Sequence, residues 1–161
     1  MLKINGKTIE QSKITVGCLM QPEHSNIAGN VHGGELMKLM DNAAGVAAAK
    51  HCKTRVVTAR VDSLEFHHAV HIGDFVNCAC ELTFVGNSSM EVAVTVIAEN
   101  LKSEESPKIA LTGYFTLVSV DKDGRPSQVP KLEITNEEEA RRFEEGKQRY
   151  LKYKEAKKGK V

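Results

Sequence analysis

The sequence predicts an α+β domain: a long antiparallel sheet wrapped around one apolar helix, with a second helix at the C-terminal end. Three observations predict it. From Gly34 to about Lys50, apolar side chains fall on almost every side of a helical wheel. From Arg55 to Val120 the chain reads as valine- and threonine-rich strands broken by short turns, which favours antiparallel pairing. From Thr135 onward it becomes strongly charged, glutamates first and lysines last, as a helix dipole favours. The expected organisation is a sheet-and-helix domain over residues 1–135 and a helical tail over residues 136–161.

The elements follow in order. Asn5-Gly6 between Lys3-Ile4 and Lys7-Thr8 is a hairpin signal. Ile14 to Met20 reads as a strand. Gln21 to Asn26 is polar, contains Pro22 and reads as a loop, which Gly29 and the Gly33-Gly34 pair extend. The helix after it carries Leu36, Leu39, Met40, Ala43, Ala44, Val46, Ala47 and Ala48, with a narrow polar side at Lys38, Asp41 and Asn42. A helix so apolar is expected to be buried. Strands are expected over Arg55–Phe66, Phe75–Val85, Met90–Leu101 and Ile109–Val120, with turns at Gly73-Asp74, Gly86-Asn87-Ser88-Ser89 and Asp121–Gly124. Thr135 and Glu138 stand at capping-box spacing. Glu137/Arg141 and Glu138/Arg142 stand at i,i+4 spacing, and the tail helix reads as a solvated surface element.

Composition narrows the function classes. The chain has 161 residues, 41% apolar and 27% charged, with a formal charge of +1. It therefore has no global field to attract nucleic acid or an anionic membrane. No apolar stretch is long enough to cross a bilayer, and Met1 to Gly6 has no signal-peptide core, so a cytoplasmic location is expected. There Cys18, Cys52, Cys78 and Cys80 should be free thiols, with Cys78 and Cys80 on one strand face. No Cys/His pairs sit at zinc spacing, and no metal site is expected.

The stretch from Asn26 to Gly34, followed by the helix with Asp41, carries the chemistry. A glycine pair lets a ligand approach the backbone. The first helical turn offers unpaired N–H groups and a partial positive charge, suited to a polarised carbonyl oxygen. Asp41, about two turns in, lies at the margin of the polar side, where a carboxylate is partly buried beside a cleft.

The pattern Asn26-x-x-Gly29-x-x-x-Gly33-Gly34-x-Leu36-Met37-x-x-Met40-Asp41 resembles the signature of the hotdog acyl-CoA thioesterases, in the branch that includes the brain-type cytosolic hydrolases. Val61 to Phe66 with Val70 and Gly73-Asp74, then Phe115 to Asp121 with Val129-Pro130, are similar to later blocks of that family, so the likeness runs from Ile14 to Arg142. Ala69 departs from it, since proline is frequent there. The resemblance implies the hotdog fold and hydrolysis of acyl-CoA to free CoA and a carboxylic acid. It implies catalytic roles for Asn26 and Asp41, contributed by opposite subunits of a dimer. It further implies a trimer of dimers. Asp41 would act as general base on water or as a nucleophile. Asn26 would position water or the thioester carbonyl, and the N–H of Gly34 or a neighbour would hold the carbonyl oxygen. CoA is then part of substrate and product, and no separate cofactor is expected.

CoA carries phosphates, so its site needs donors and positive charge. The candidates are Arg60, the tip residues Gly86, Asn87, Ser88 and Ser89, Lys102 and Lys108. His67 and His68 point to opposite faces of an extended strand and, with His71, read as structural rather than metal-binding. His32 either touches substrate or fills the turn. Two rivals remain. A hydratase or dehydratase of the same fold needs a helix histidine, and none precedes His51. A non-catalytic acyl-CoA-binding domain would not need Asp41.

Overall fold

The computed structural model describes residues 5–160. In chain order the elements are β1 (Lys7–Thr8), β2 (Ile14–Leu19), a 3₁₀ turn (Pro22–His24), α1 (Gly33–Cys52), β3 (Arg55–Phe66), β4 (Phe75–Val85), β5 (Ser89–Glu99), β6 (Lys108–Val120), β7 (Leu132–Glu133) and α2 (Glu137–Lys158). The main sheet is antiparallel, in the order β2-β4-β5-β6-β3, so β2 and β3 are its edges. The expected hairpin at Asn5-Gly6 has its Lys3-Ile4 arm outside the described residues. Lys7 and Thr8 pair in parallel with Leu132 and Glu133 instead.

Strand alternation builds the core. Val76, Cys78, Cys80 and Leu82 of β4, Met90, Val92, Val94 and Val96 of β5, and Leu111, Phe115 and Leu117 of β6 turn one sheet face inward. Leu36, Met40, Ala43, Ala44, Ala47 and Ala48 of α1 pack into it. The alanines let the helix lie close to the strands, and Met40, fully buried, fills the space between. All four cysteines are free thiols. Burial of α1 is narrower than the wheel predicts. The sheet covers one side only, and Met37 and Val46 remain 40% and 49% exposed.

The ends of α1 depart from the expected bounds. His32 is the N-cap, its Nδ1 accepting the Gly34 N–H at 2.8 Å. At the other end Lys7 Nζ donates to the carbonyls of Lys50 and His51, supplying partners that a helix terminus lacks.

The opposite sheet face is covered by α2, which is docked rather than solvated all round. Asn136, not Thr135, caps it, accepting the Glu139 N–H at 2.9 Å, while Glu139 reaches back to Thr135. The two expected i,i+4 pairs do not form. Arg141 pairs with Glu138 and Glu145, and Arg142 crosses to Glu81 of β4. Arg149 grips Glu91 of β5 through Nε at 3.0 Å and Nη2 at 2.8 Å, and its guanidinium lies 3.8 Å from the centre of the Tyr114 ring. Phe84 packs on Phe143 and Tyr150, with ring centres 5.0 and 5.4 Å away. Gly146 is the closest approach. A Cβ there would stand 2.7 Å from Phe84 Cβ and 2.8 Å from Glu91 Oε1.

Candidate active site

Two irregularities in β3 decide which side chains reach the site. Thr58 pairs with Leu117, but Arg60 pairs with Thr116, so Ala59 is an extra residue. Before it, Thr58 faces α1. After it, Arg60 and Asp62 face α2, opposite Thr116 and Tyr114. A second shift follows Asp62, with Ser63 at φ 49°, and returns Phe66 to the α1 side.

Asp41 stands half-buried on the α1 margin beside edge strand β3. Thr58 Oγ1 donates to Asp41 Oδ1 at 2.6 Å. A short bond to a carboxylate orients it and leaves the other oxygen available. Sequence reasoning missed Thr58, because one threonine in a valine- and threonine-rich strand carries no mark of its own.

Asn26 sits in a tight loop. Its Oδ1 accepts the N–H groups of Ala28, at 2.9 Å, and Asn30, at 3.2 Å, and Gly29 turns at φ 84°. With the amide oxygen engaged by the backbone, Nδ2 is the group left to donate. The loop is held to the chain after β3, where the Val31 N–H bonds to the Val70 carbonyl at 2.8 Å. No hydrogen bond joins Asn26 to Asp41 within the protomer, and by helix rise Asp41 lies about 12 Å along α1 from Gly33.

The two glycines at the helix start are explained by their neighbours. A Cβ on Gly33 would come within 2.9 Å of the Phe66 ring, and one on Gly34 within 2.9 Å of His32 Nδ1. The Gly34 N–H expected to hold a carbonyl oxygen is taken by His32, so His32 must turn away before that amide serves a ligand. The N–H groups of Glu35 and Leu36 go to the His32 carbonyl, and no acceptor among the described residues takes that of Gly33.

The candidate CoA residues separate into three places. Arg60, Ser88 and Ser89 line one cleft with residues of α2. Gly86 and Asn87 line a cavity of about 390 Å³ on the other side of the hairpin tip, with Gln128, Lys131 and Phe143. Lys108 pairs with Glu105 at 3.3 Å and lines a third cavity with His68, His71 and Asp74. Ser89 pairs with Val118, ten residues along β6 from Lys108, so roughly 30 Å separates them by strand rise. His67 bonds to Thr112 Oγ1 and His68 to the Ile109 carbonyl, at 2.8 and 2.9 Å. Among the described residues no group of three His, Cys, Asp or Glu side chains forms a metal site, and no helix is long and apolar enough to cross a membrane.

His51 is fully buried at the far end of α1, its Nε2 2.9 Å from the Pro130 carbonyl. Burial lowers its pKa below the ordinary value, with Lys7 adding to the effect and the Pro130 bond opposing it.

Comparison with known proteins places this geometry. A solved hexameric acyl-CoA thioesterase without ligand superposes with a TM-score of 0.88 at 32% identity, over 95% of this chain and 97% of that one. The family model "Thioesterase superfamily" matches residues 28–105. The chain belongs to the thioesterase superfamily. The hotdog fold expected from the sequence is thus the fold of this member. The cytosolic acyl coenzyme A thioester hydrolase of Mus musculus is 40% identical over 153 residues, which are 94% of this chain. This chain spans only 40% of the length of that mouse protein. An acyl-CoA hydrolase from Staphylococcus aureus, solved with butyryl coenzyme A, coenzyme A and coenzyme A disulfide, is 28% identical, with a TM-score of 0.85 over 96% of this chain and 93% of that one. Alanine variants of that enzyme at an aspartate, an asparagine and a threonine have also been solved.

Proposed function

We infer that this thioesterase-superfamily chain hydrolyses acyl-CoA thioesters to free CoA and a carboxylic acid, with Asp41 activating the attacking water. The observation that carries this is the Asp41 carboxylate, set at the margin of a packed helix and fixed by Thr58 Oγ1 at 2.6 Å. The Staphylococcus variants support it. Their asparagine, aspartate and threonine follow one another at intervals of fifteen and seventeen residues, as do Asn26, Asp41 and Thr58.

Asp41 takes a proton as water attacks the carbonyl carbon. The developing oxyanion is stabilised by Nδ2 of Asn26 of the partner subunit and by an N–H at that subunit's α1 start, either Gly33 of the partner subunit or a released Gly34 of the partner subunit. Collapse breaks the C–S bond, and the CoA thiolate leaves and is protonated by solvent. CoA is substrate and product, so the scheme calls on no other cofactor and no metal.

A second copy is part of this reading. Edge strand β3 has twelve residues and one partner strand. Val61 and Phe66 on it, with Met37 and Val46 on α1, are 40–57% exposed. Such an edge pairs with another strand or aggregates. A dimer along β3 would bring Asn26 of the partner subunit to Asp41, and the hexameric relatives favour three such dimers. The relatives named cytosolic favour the cytoplasm as the site of action. Arg60, Ser88 and Ser89 are assigned to CoA, with Gly86 and Asn87 shaping the tip. Lys108 joins them only if another protomer supplies it.

Thiol release from acyl-CoAs of graded length tests the function. Turnover by the wild type with a loss of roughly 100-fold or more in Asp41→Ala, at unchanged thermal stability, is expected for loss of a general base. Binding without turnover would favour a non-catalytic domain, and near-full activity of Asp41→Ala would end the assignment.

A further inference from the structure

We propose that Ile27 of the partner subunit seats in the notch that Gly45 leaves on α1, and that this contact sets Asn26 of the partner subunit against Asp41. Ile27 is then a positioning residue for the hydrolysis. The proposal rests on the hydrolase reading for the meeting of Asn26 and Asp41, and on two features of the protomer for the contact itself.

The first feature is Ile27, which is more exposed than any other large apolar side chain among the described residues. Its loop does not let it turn inward. Asn26 Oδ1 holds the N–H groups of Ala28 and Asn30, the Asn26 N–H bonds to the Asn30 carbonyl at 2.8 Å, and the Gly29 N–H bonds to the Asn26 carbonyl at 3.1 Å. Ser25 and Val31 close the base of the loop as a β-bridge. An isoleucine is thus presented to solvent on a fixed backbone, one residue after Asn26. The second feature is Gly45. Glycine inside a helix is less stable than alanine there, and no neighbour in the protomer requires it. A Cβ on Gly45 would meet nothing within 4 Å, whereas one on Gly33 or Gly146 would strike another side chain. Asp41 stands one turn before Gly45 and Ala49 one turn after, with Asn42 and Val46 alongside. Four residues around a missing side chain form a hole that takes a knob from a facing chain. This hole adjoins the carboxylate.

Symmetry brings the two together. In the dimer of the hydrolase reading, the α1 start of the partner subunit lies at Asp41, and the two-fold axis places this protomer's α1 start at the partner's Asp41. Parallel helices cannot satisfy both conditions. With the first met, the partner's Asp41 would lie beside residue 48, about 21 Å along α1 from the Gly34 it must meet. The two α1 helices therefore run antiparallel. The chain that leads into the partner's helix then continues along this helix, from Asp41 toward its C-terminal end. That chain is the loop carrying Ile27, and the next turn is Gly45, about 6 Å beyond Asp41. The surrounding surface suits an apolar knob, since Met37 and Val46 of α1 and Val61 and Phe66 of β3 are exposed. A seated isoleucine fixes the residue before it. Asn26 is thereby held to the tolerance that an oxyanion donor demands.

Disulfide trapping tests the contact without reference to turnover. Both positions have open space within the protomer, so variants there should fold. A full-length Ile27→Cys/Gly45→Cys variant, once oxidised, should run as a covalent dimer on a non-reducing gel. A knob seated over a glycine brings the two Cα atoms within the span of about 4.4–6.8 Å that a disulfide bridges. Neither single variant should do so, which sets aside the half-buried native thiol Cys18. No covalent dimer, or the same yield from a single variant, overturns the proposal. Kinetics test the positioning role. Ile27→Ser should lower kcat roughly ten-fold with KM held, by the same factor on short and long acyl-CoAs. In an Asn26→Ala background it should add nothing, because Ile27 acts through Asn26. Gly45→Val should match Ile27→Ser. Ile27→Ala/Gly45→Val, which moves bulk from knob to hole, should recover part of the loss. Losses that grow with acyl length would make Ile27 part of the acyl path, and that result, full activity of Ile27→Ser or purely additive losses would each overturn the proposal. If the wild type cleaves no acyl-CoA, the hydrolase reading fails by itself, while a covalent dimer still supports the contact and its absence still refutes it.

Discussion

The two faces of the sheet are held by different physics. On one, α1 is packed by shape: four alanines and Met40 press against an apolar strand surface. On the other, α2 is held by two cross-element ion pairs, a short ring stack and a glycine contact. Dispersion and burial fix the face of α1 against the strands, with hydrogen bonds only at its ends and at Asp41. One hydrogen bond then suffices to aim Asp41, because the helix that carries it cannot shift. Glu91 on the other face is 3% exposed, so its charge is tolerable only with Arg149 and Thr83 beside it. The proposed catalytic carboxylate thus stands on the face least sensitive to charge.

Met40→Ala should show the largest effect, since it opens a cavity under α1. A loss of about 2–5 kcal/mol in unfolding free energy is expected, measured by urea titration, with little dependence on salt. Arg149→Met comes next. It leaves Glu91 buried without its cation, at a cost of about 3 kcal/mol, the low end for a broken buried pair because Arg149 is partly exposed. Hydrogen exchange should show the loss concentrated in α2. Uniform loss of protection across α1 and β3 would mean that the two faces do not act separately.

Thr58→Val should lower kcat by roughly ten-fold, the scale of one hydrogen bond to a charged group, with thermal stability held. Thr58→Ser should restore most of it, and a Thr58→Val enzyme with full activity would reduce the contact to packing. The smallest effect concerns His51. Its folded pKa lies below the ordinary 6.5, so the unfolded chain takes up the proton first. Stability should be intact above that pH and decline as pH falls from it toward the folded value. His51→Gln should flatten that slope while keeping a donor for Pro130.

Much of this was legible in the sequence, for reasons that differ by element. The start of β3 follows from its valine- and threonine-rich run and the bounds of β4 from the flanking turn residues Gly73-Asp74 and Gly86, and the α1 pattern marks both the helix and its acid. Docking of α2 was not legible, since its surface is charged on every side and Glu81 and Glu91 lie about sixty positions earlier in the chain. Nor was its cap, where Thr135 and Asn136 are equally good candidates by type. The His32 cap was hidden because histidine is no usual cap residue. The sequence also points to a Gly34 amide without indicating that the adjacent imidazole already occupies it.

The extra residue at Ala59 reverses the facing of the next three positions, and the irregularity at Ser63 reverses it back. Arg60 and Asp62 face α2 only because they sit inside this short inverted window. Deleting Ala59 would leave Thr58 and Arg60 consecutive, opposite Leu117 and Thr116, so the bulge would close while Arg60, Val61 and Asp62 kept their partners and their facing. The bulge is thus what lets Thr58 and Arg60, two positions apart in the chain, serve opposite faces of one sheet.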